Sequence, residues 1–489
     1  MMHIGLPSAA SRCHAGRMMT ASEWAQETFG QVDLGDRRRT ARLVRVATSA
    51  AESPAGTVTR VFSDDAERQG AYDFLESEHI DADELEAGAG KAVASKCGSE
   101  AKVLVVVDGS SLSFVDRAGV RGLGAVGTYE AGGVGLKVIT ALALTAKGVP
   151  IGPVRQVMWR RPAQRPTNRR PAKKRPVDKK ETQHWLEAVT ASKARLAGAS
   201  AATRITYLVD REGDSAAMLS TLLETEEGFI VRGNWDRTVE DREGRKRKVR
   251  DHLAVAKLLG EHEVELNAQP GRAARTARVM VRAVEIGVTV KNPVTGKVVS
   301  AWLTAVNARE MGTAPPNEEP LDWLLLTNRH ATSLVAARAV VADYALRWRI
   351  EEFHRSWKSG HCNVEDSQLR SEQAIRKWAL VLAAVACRVE RLKLLARTRP
   401  ELPASTEFSE IELHALVLLK KRIKKRDEVV GDAPSIEEAT LWLAQLGGYT
   451  GKSSGGPPGT ITISRGLARL RDAADAIAAF IAKDDDENG

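Results

Sequence analysis

Residues 103–109 are Val-Leu-Val-Val-Val-Asp-Gly, and this segment indicates the fold of the chain. Five consecutive apolar residues are typical of a strand buried on both faces, and the Asp-Gly pair predicts where it ends. A second strand is predicted at residues 205–209, and Asp210 follows it in the same way. Ligand sites of open α/β sheets gather beyond strand ends, so we expect Asp108 and Asp210 to converge. Either aspartate taken alone is more often a turn residue, and that alternative stays open.

The segments around these two strands predict an α/β fold. Further strands are expected at residues 137–144 and 154–159, and helices at 182–196 and 215–226. Residues 228–328 form a strand-rich block, with strands expected at 229–232, 263–266, 279–284, 302–306 and 323–327. A long helical stretch is predicted from about 332 to 359, and the chain stays helical to 483, with breaks at Gly447-Gly448 and 453–459.

The N-terminal part, residues 1–95, is predicted to be a small helical module. Thr20 and Glu23 have the spacing of a capping box, which marks the start of a helix. Gly35-Asp36 opens a second helix, and two more are expected from about 63 and from 81 to 93. The second helix carries a dense row of arginines that includes Arg38, Arg39 and Arg42. Such a basic edge suits phosphate and base contacts with DNA, and plain solubility is the alternative.

Bulk composition narrows the class of protein. The chain has 489 residues and a net charge of +9, which favours a polyanionic partner. Its four cysteines are scattered, which argues against a disulfide scaffold or a structural zinc site. No apolar run is long enough to span a membrane and no secretory signal is recognisable, so the cytoplasm is the expected location.

One loop stands out by its charge. Residues 160–180 hold ten Lys or Arg and four Pro, which predicts a mobile basic segment. The loop is either a solvated linker or an arm that binds phosphates.

A second candidate cluster lies on the long helix that follows the strand-rich block. Tyr344, Arg347, Glu351 and Lys358 are spaced by three, four and seven residues, so they share one helix face. That face presents a phenol, a guanidinium, a carboxylate and an ammonium group in a row. The alternative is a solvated face on which Arg347 and Glu351 form an ordinary i,i+4 pair.

Three carboxylates from separate elements suit a pair of magnesium ions. Hard divalent cations take oxygen ligands, and two of them about 4 Å apart can clamp both oxygens of a phosphodiester exchange. Asp108, Asp210 and Glu351 are therefore the candidate metal ligands and catalytic residues. Zinc is disfavoured because no His or Cys accompanies these acids.

At these residues the chain resembles the bacterial cut-and-paste DDE transposases typified by the transposon-five transposase. Residues 344–358, Tyr-Ala-Leu-Arg-Trp-Arg-Ile-Glu-Glu-Phe-His-Arg-Ser-Trp-Lys, look like that family's Y-(2)-R-(3)-E-(6)-K signature. The segments around Asp108 and around Asp210 to Asp214 look like those of its two catalytic aspartates. Residues 34–43 are similar to its end-binding helix, and residues 446–449 with 455–459 to its dimerisation segment.

The resemblance implies an architecture for the whole chain. It implies an RNase-H-like catalytic core at residues 96–385, with a β-rich insertion at about 228–328. Residues 1–95 are then a helical domain that binds transposon ends, and residues 386–489 a helical domain that forms a homodimer.

The resemblance also implies roles for single residues. Trp323 is expected to stack on a flipped base near the transposon end, although core packing on a strand is its ordinary interpretation. Arg232 is expected to contact DNA near a hairpin. Tyr344, Arg347 and Lys358 are expected to hold DNA and not to serve the fold.

The function implied is excision and insertion of mobile DNA. Mg²⁺-dependent hydrolysis frees a 3′-OH, which attacks the opposite strand to give a hairpin; the hairpin is opened and the ends join target DNA. Two Mg²⁺ ions are expected, and Mn²⁺ is expected to substitute. The alternatives are a catalytically silent, transposase-derived repressor and a simple nuclease without joining activity.

Overall fold

The structure is a computed structural model that describes residues 20–165, 177, 180–266, 273–316, 318–451 and 456–488, with backbone only from 480 onward. Most of the basic loop at 160–180 lies outside the described residues, as does the first half of the expected break at 453–459. In the described residues, Cys97, Cys362 and Cys387 are buried free thiols. None of the described helices is long and apolar enough to cross a bilayer.

Five helices form the N-terminal part of the described chain. They are α1 (Ala21–Phe29), α2 (Arg37–Glu52), α3 (Val58–Val61), α4 (Asp65–Glu76) and α5 (Ala82–Cys97). The predicted capping box is present, because Thr20 accepts from the amide of Glu23 and the Glu23 side chain accepts from the amide of Thr20. Asp36 caps α2 through the amide of Arg38. From residue 20 onward this part is helical, as predicted, and the short α3 was not predicted; residues 1–19 lie outside the described residues.

The central part of the chain alternates strands and helices. Its elements are β1 (Lys102–Phe114), β2 (Gly124–Val126), β3 (Gly133–Thr145), β4 (Pro150–Trp159), α6 (Thr182–Leu196), β5 (Arg204–Val209), α7 (Ala216–Thr225) and β6 (Gly228–Arg232). The strand-rich block adds β7 (Thr238–Glu240), β8 (Lys246–Lys248), α8 (Val249–Val255), β9 (Leu258–Leu266), β10 (Arg275–Lys291), β11 (Val298–Glu310) and β12 (Asp322–Thr327). Every predicted strand is present, and most run longer than the sequence indicated.

Helices make up the rest. They are α9 (Leu334–Ala345), a 3-10 turn (Leu346–Trp348), α10 (Arg349–Lys358), α11 (Glu372–Thr398), α12 (Glu410–Ile423), α13 (Ile436–Leu446) and α14 (Thr460–Asn488). The long helix predicted at 332–359 is therefore two helices joined by a tighter turn that contains Arg347.

All the described strands belong to one mixed sheet. Its order is β2-β3-β1-β5-β6-β12-β11-β10-β7-β8, with β4 on β3 and β9 on β10. Only β1 with β5 and β5 with β6 pair in parallel; the other pairs are antiparallel. The α/β fold class is thus confirmed. Because β6 pairs in parallel with β5, the strand at 229–232 continues the parallel part of the sheet. The β-rich insertion expected from about 228 therefore begins after this strand.

The end of β1 differs from the prediction. Asp108 does not end the strand, because β1 continues to Phe114 as the antiparallel partner of β3. The parallel pairing of β1 with β5 does end there, since its last pair is Val107 with Val209. The sheet therefore opens next to Asp108 on the β5 side only.

Helices cover both faces of the sheet. Leu104, Val106 and Leu208 face the core formed with α9, α10, α11 and the N-terminal helices. The residues between them in sequence, such as Val105, face α6 and α7 on the other side. This alternation is the two-residue period of a strand, and it makes both faces of β1 apolar.

The N-terminal helices share a core with the central part. Apolar residues of α1 to α5 and of α9 to α11 form one continuous buried cluster. Trp378 on α11 donates from its indole nitrogen to the carbonyl of Gly56 at 2.7 Å, and Lys377 donates to the carbonyl of Ser77 at 2.7 Å. The C-terminal helices α12 to α14 pack around the end of α11 in a separate cluster.

Candidate active site

Strand register brings the two aspartates side by side. Val107 of β1 is paired with Val209 of β5, so Asp108 and Asp210 are the next residue on each strand. Both continue the series of Leu104, Val106 and Leu208, which points toward α9, α10 and α11. The predicted convergence of Asp108 and Asp210 therefore follows from a parallel pair that ends at the same level on both strands.

Backbone amides fix the orientation of each aspartate. Asp108 accepts a hydrogen bond from the amide of Gly109 at 2.8 Å. Asp210 precedes a 3-10 turn (Arg211–Gly213) and accepts from the amide of Arg211 at 2.6 Å. These bonds use one oxygen on each carboxylate and leave the other free for a further partner.

Arg347 joins the three carboxylates that the sequence singled out. One guanidinium nitrogen, Nη1, lies 3.0 Å from an oxygen of Asp108 and 4.0 Å from an oxygen of Asp210. The other, Nη2, lies 2.6 Å from an oxygen of Glu351 in the first turn of α10. The structure thus places Asp108, Asp210 and Glu351 around a single cation, which is 8% exposed.

The site holds more negative than positive charge. Burial raises the pKa of Asp108 to about 7; Arg347 and the Gly109 amide oppose this, whereas Asp210 and Glu351 add to it. Burial likewise raises the pKa of Glu351, against the attraction of Arg347. One guanidinium does not balance three converging carboxylates, and such an excess favours binding of further cations.

The donor set fits magnesium better than a metal that needs a protein cage. Within the described ranges, no three His, Cys, Asp or Glu side chains are arranged to hold one ion together. Magnesium does not require such a group, because it usually keeps several waters and takes one or two carboxylates plus substrate phosphates. The three carboxylates around Arg347 present oxygen atoms from three separate elements.

Tyr344 and Trp323 form an aromatic wall beside Asp210. The Tyr344 hydroxyl donates to Asp210 at 3.3 Å, and burial followed by the charge of Asp210 raises the pKa of that phenol. The Trp323 ring meets the Tyr344 ring edge-on, with centroids 5.0 Å apart and planes at 79°. Tyr344 is 2% exposed whereas Trp323 is only partly buried, so Trp323 is the member of the pair that reaches the surface.

The other two predicted residues lie at the margins of this site. Arg232 is the last residue of β6, paired with Leu325 of β12, and it is partly buried. Lys358 is the last residue of α10, and its ammonium lies 3.8 Å from Glu365. Glu365 in turn accepts from the amide of Ser113, near the end of β1.

The three arginines of α2 differ in their surroundings. Arg38 is exposed, and its backbone amide donates to Asp36, whereas its guanidinium has no hydrogen-bond or ion-pair partner among the described residues. Arg39 donates to the carbonyls of Leu34 and His79, each at 3.1 Å. Arg42 forms an ion pair with Glu67 at 3.2 Å. Arg39 and Arg42 thus hold the N-terminal helices together, a role that the basic pattern did not predict.

Two residues near the site were not identified from the sequence. The buried Asp214 side chain binds the loop after β6, and Trp235 in that loop is 62% exposed. The available signal was the segment Gly-Asn-Trp-Asp-Arg at 233–237, in which a tryptophan stands among polar residues without an apolar stripe.

Comparison with protein families gives two matches. A family profile described as "Transposase DNA-binding" matches residues 21–80, which include α1 to α4. A profile described as "Transposase DDE domain" matches residues 133–388, more than half of the chain. The second match includes Asp210, Arg347 and Glu351, whereas Asp108 lies before its start.

Proposed function

The chain belongs to the DDE transposase family, and we propose that it excises a DNA element by way of hairpin ends and inserts it elsewhere. Membership in the family makes the chain a DNA transposase with a DNA-binding part and a metal-dependent DDE domain on an RNase-H-like core. The finer proposal is that Asp108, Asp210 and Glu351 are the catalytic carboxylates and that they bind two Mg²⁺ ions, for which Mn²⁺ can substitute.

The strongest support for this proposal is that three carboxylates surround one guanidinium, that of Arg347. Asp108, Asp210 and Glu351 come from β1, the end of β5 and α10, and all three lie within 4.0 Å of Arg347. Like charges repel, so such an arrangement costs stability unless cations compensate it. We infer that the negative charge at this open end of the sheet serves to bind cations.

The divalent cations, when bound, would neutralise the phosphodiester and lower the barrier to its displacement. The chain's own residues orient the carboxylates: Arg347 spans them, Tyr344 donates to Asp210, and backbone amides hold Asp108 and Asp210. Positioning and charge neutralisation are what phosphoryl transfer asks of a protein.

The DNA path is proposed from the residues around this centre. Arg232 and Lys358 flank the carboxylates with positive charge, whereas Arg347 and Tyr344 are buried and act on the cut strand by holding the carboxylates in place. Trp323, which reaches the surface beside Tyr344, gives an extruded base an aromatic partner. On α2, Arg38, Arg39 and Arg42 are proposed to contact the transposon end, with Arg38 the freest to do so.

The assembly and location are proposed from the resemblance alone. Two copies would pair in a synaptic complex through residues 386–489, each acting in the bacterial cytoplasm on the end bound by the other.

The test is incubation of the purified protein with DNA that carries the element's own ends, with Mg²⁺ or with EDTA. Denaturing gels separate nicked strands, hairpins and joined products. We expect all three with Mg²⁺ and none with EDTA. Specific binding without any product would favour the silent repressor, and cutting without end preference or joining would favour the simple nuclease.

A further inference from the structure

Trp235 is a tryptophan exposed at the edge of the sheet where the carboxylates lie. It is 62% exposed, in the loop that leaves the end of β6 three residues after Arg232. β6 runs parallel to β5, so the loop leaves the sheet on the same side as Asp210. Its ring makes no stacking or cation–π contact with any described residue. A single exposed apolar side chain is common on protein surfaces, and what sets Trp235 apart is its place at the end of the sheet that carries Asp210.

Hydrogen bonds to one buried side chain hold the backbone at Trp235. The side chain of Asp214, four residues after Asp210, is fully buried and accepts three hydrogen bonds from this loop. The donors are the amide of Asn234 at 2.7 Å, the amide of Trp235 at 3.2 Å and a guanidinium nitrogen of Arg237 at 2.6 Å. One buried carboxylate thus ties the backbone that carries the exposed indole to the turn that begins at Asp210.

Two basic side chains near the loop suit a nucleic-acid partner, although the exposed acids Glu212 and Asp236 lie beside them. Arg211 is exposed beside Asp210 and Arg232 is partly exposed at the end of β6. Within the described residues, neither guanidinium has an ion-pair partner. Exposed aromatic rings combined with unpaired basic groups are the means by which proteins hold unstacked bases and their phosphates.

We infer, on the basis of the proposed function, that Trp235 is a second base-stacking residue. It holds an unpaired base of the DNA strand that is cut by the centre of Asp108, Asp210 and Glu351. Trp323 lies on the Tyr344 side of the site, and Trp235 lies on the loop tied to Asp214. The two rings therefore hold different nucleotides of an opened DNA end, and Asp214 is the positioning residue for Trp235.

The test compares Trp235→Ala with Trp302→Ala, a matched control on the same sheet. Trp302 is 42% exposed, but its ring is covered by Arg242 at 3.8 Å. End DNA carries 2-aminopurine at successive positions near the cut, because the fluorescence of this base is quenched when it stacks. Single-turnover cleavage and hairpin formation are measured on the same DNA.

For Trp235→Ala, we expect loss of quenching at one position and about tenfold slower hairpin formation, which corresponds to the usual worth of one base–aromatic stack. Trp235→Phe should restore most of the rate, and Trp302→Ala should match the unsubstituted protein. Unchanged quenching and rate in Trp235→Ala would overturn the inference. A fall in molecular mass from dimer to monomer, with the fluorescence quenching unchanged, would also overturn it, because Trp235 would then contact a protein partner. If the unsubstituted protein cuts no DNA, the proposed function itself fails, which is a distinguishable result.

Discussion

At the scale of single residues, Arg347 carries the electrostatics of the site. It is 8% exposed and contacts Asp108, Asp210 and Glu351 at 3.0, 4.0 and 2.6 Å. The sequence predicted that Arg347 serves DNA and not the fold. Its burial among three carboxylates argues that it serves both, because removing it leaves buried like charges without their counterion.

We therefore predict that Arg347→Ala abolishes DNA cleavage and also lowers the free energy of unfolding by about 3 kcal/mol, the usual cost of breaking a buried ion pair. Arg355→Ala is the matched control, since Arg355 is an exposed arginine on the same helix. That control should lose about 0.5 kcal/mol or less. Urea unfolding and a cleavage assay check both; equal stability losses in the two variants would refute the special role of Arg347.

Residue contacts of this kind were only partly predictable. The pairing of Arg347 with Glu351 follows from their i,i+4 spacing, which the sequence displays directly. The contact of Arg347 with Asp108 joins residues 239 apart, and it depends on how α10 packs over β1. No local pattern encodes that packing, so the sequence predicted the members of the site but not the bonds among them.

Among the helices and strands, α2 carries two arginines that contact neighbouring parts of the protein and one whose side chain is exposed. Arg39 and Arg42 are engaged with Leu34, His79 and Glu67, whereas the Arg38 side chain is exposed. We predict that Arg38→Ala weakens binding of end DNA and reduces its salt dependence by about one phosphate contact, with no change in melting temperature.

The control for Arg38 is Arg68→Ala on α4, an arginine of the same part of the chain that pairs with Asp65. It should leave end binding unchanged. Normal affinity and an unchanged salt slope in Arg38→Ala would mean that the exposed arginine serves solubility only.

Helix α10 carries a buried histidine that makes stability depend on pH. Burial, with Lys358 and Arg347 adding to it, lowers the pKa of His354 to about 3. The unfolded chain takes up this proton near pH 6.5, so stability is full above that pH and is lost as the pH falls toward 3. Between pH 7 and 5 the loss from this one group is about 2 kcal/mol.

We predict that His354→Gln removes about that much of the acid sensitivity, measured by urea unfolding at pH 7 and pH 5. His79→Gln, which changes an exposed histidine, should leave the sensitivity as it was. Identical pH profiles for the unsubstituted protein and His354→Gln would contradict the buried neutral state of this residue.

Elements were predicted well where patterns were strong and less well at their ends. The apolar runs at 103–107 and 205–209 are strands, as predicted. The extension of β1 to Phe114 was not predicted, because residues 108–113 are mostly small and polar and gain their strand geometry from pairing with β3. The division of the helix at 346–348 also had no sequence signal, since neither Gly nor Pro occurs there.

At the scale of the whole molecule, the N-terminal helices and the central sheet share one core. The buried cluster runs from α1 through α5 into α9, α10 and α11, and Trp378 and Lys377 bond to the carbonyls of Gly56 and Ser77. In the described residues, the predicted boundary near residue 95 is therefore not accompanied by a gap in the packing.

We predict that a fragment of residues 96–385 does not fold stably, because it leaves the face of α11 around Trp378 uncovered. Circular dichroism and calorimetry of the fragment should show no cooperative transition near that of the full chain. A fragment that melts cooperatively within a few degrees of the full chain would show that the shared core is dispensable.

We propose that Asp108, Asp210 and Glu351 form one cation-dependent centre that cuts DNA. Its most direct test is single-turnover cleavage of end DNA by Asp108→Asn, Asp210→Asn and Glu351→Gln, alongside end binding and melting temperature. We predict that each variant loses cleavage by at least about a thousandfold while binding ends and melting much like the unsubstituted protein. If any one of the three variants is folded, binds its DNA and still cleaves it, the catalytic role of that residue is contradicted, and with it the proposed centre of three carboxylates.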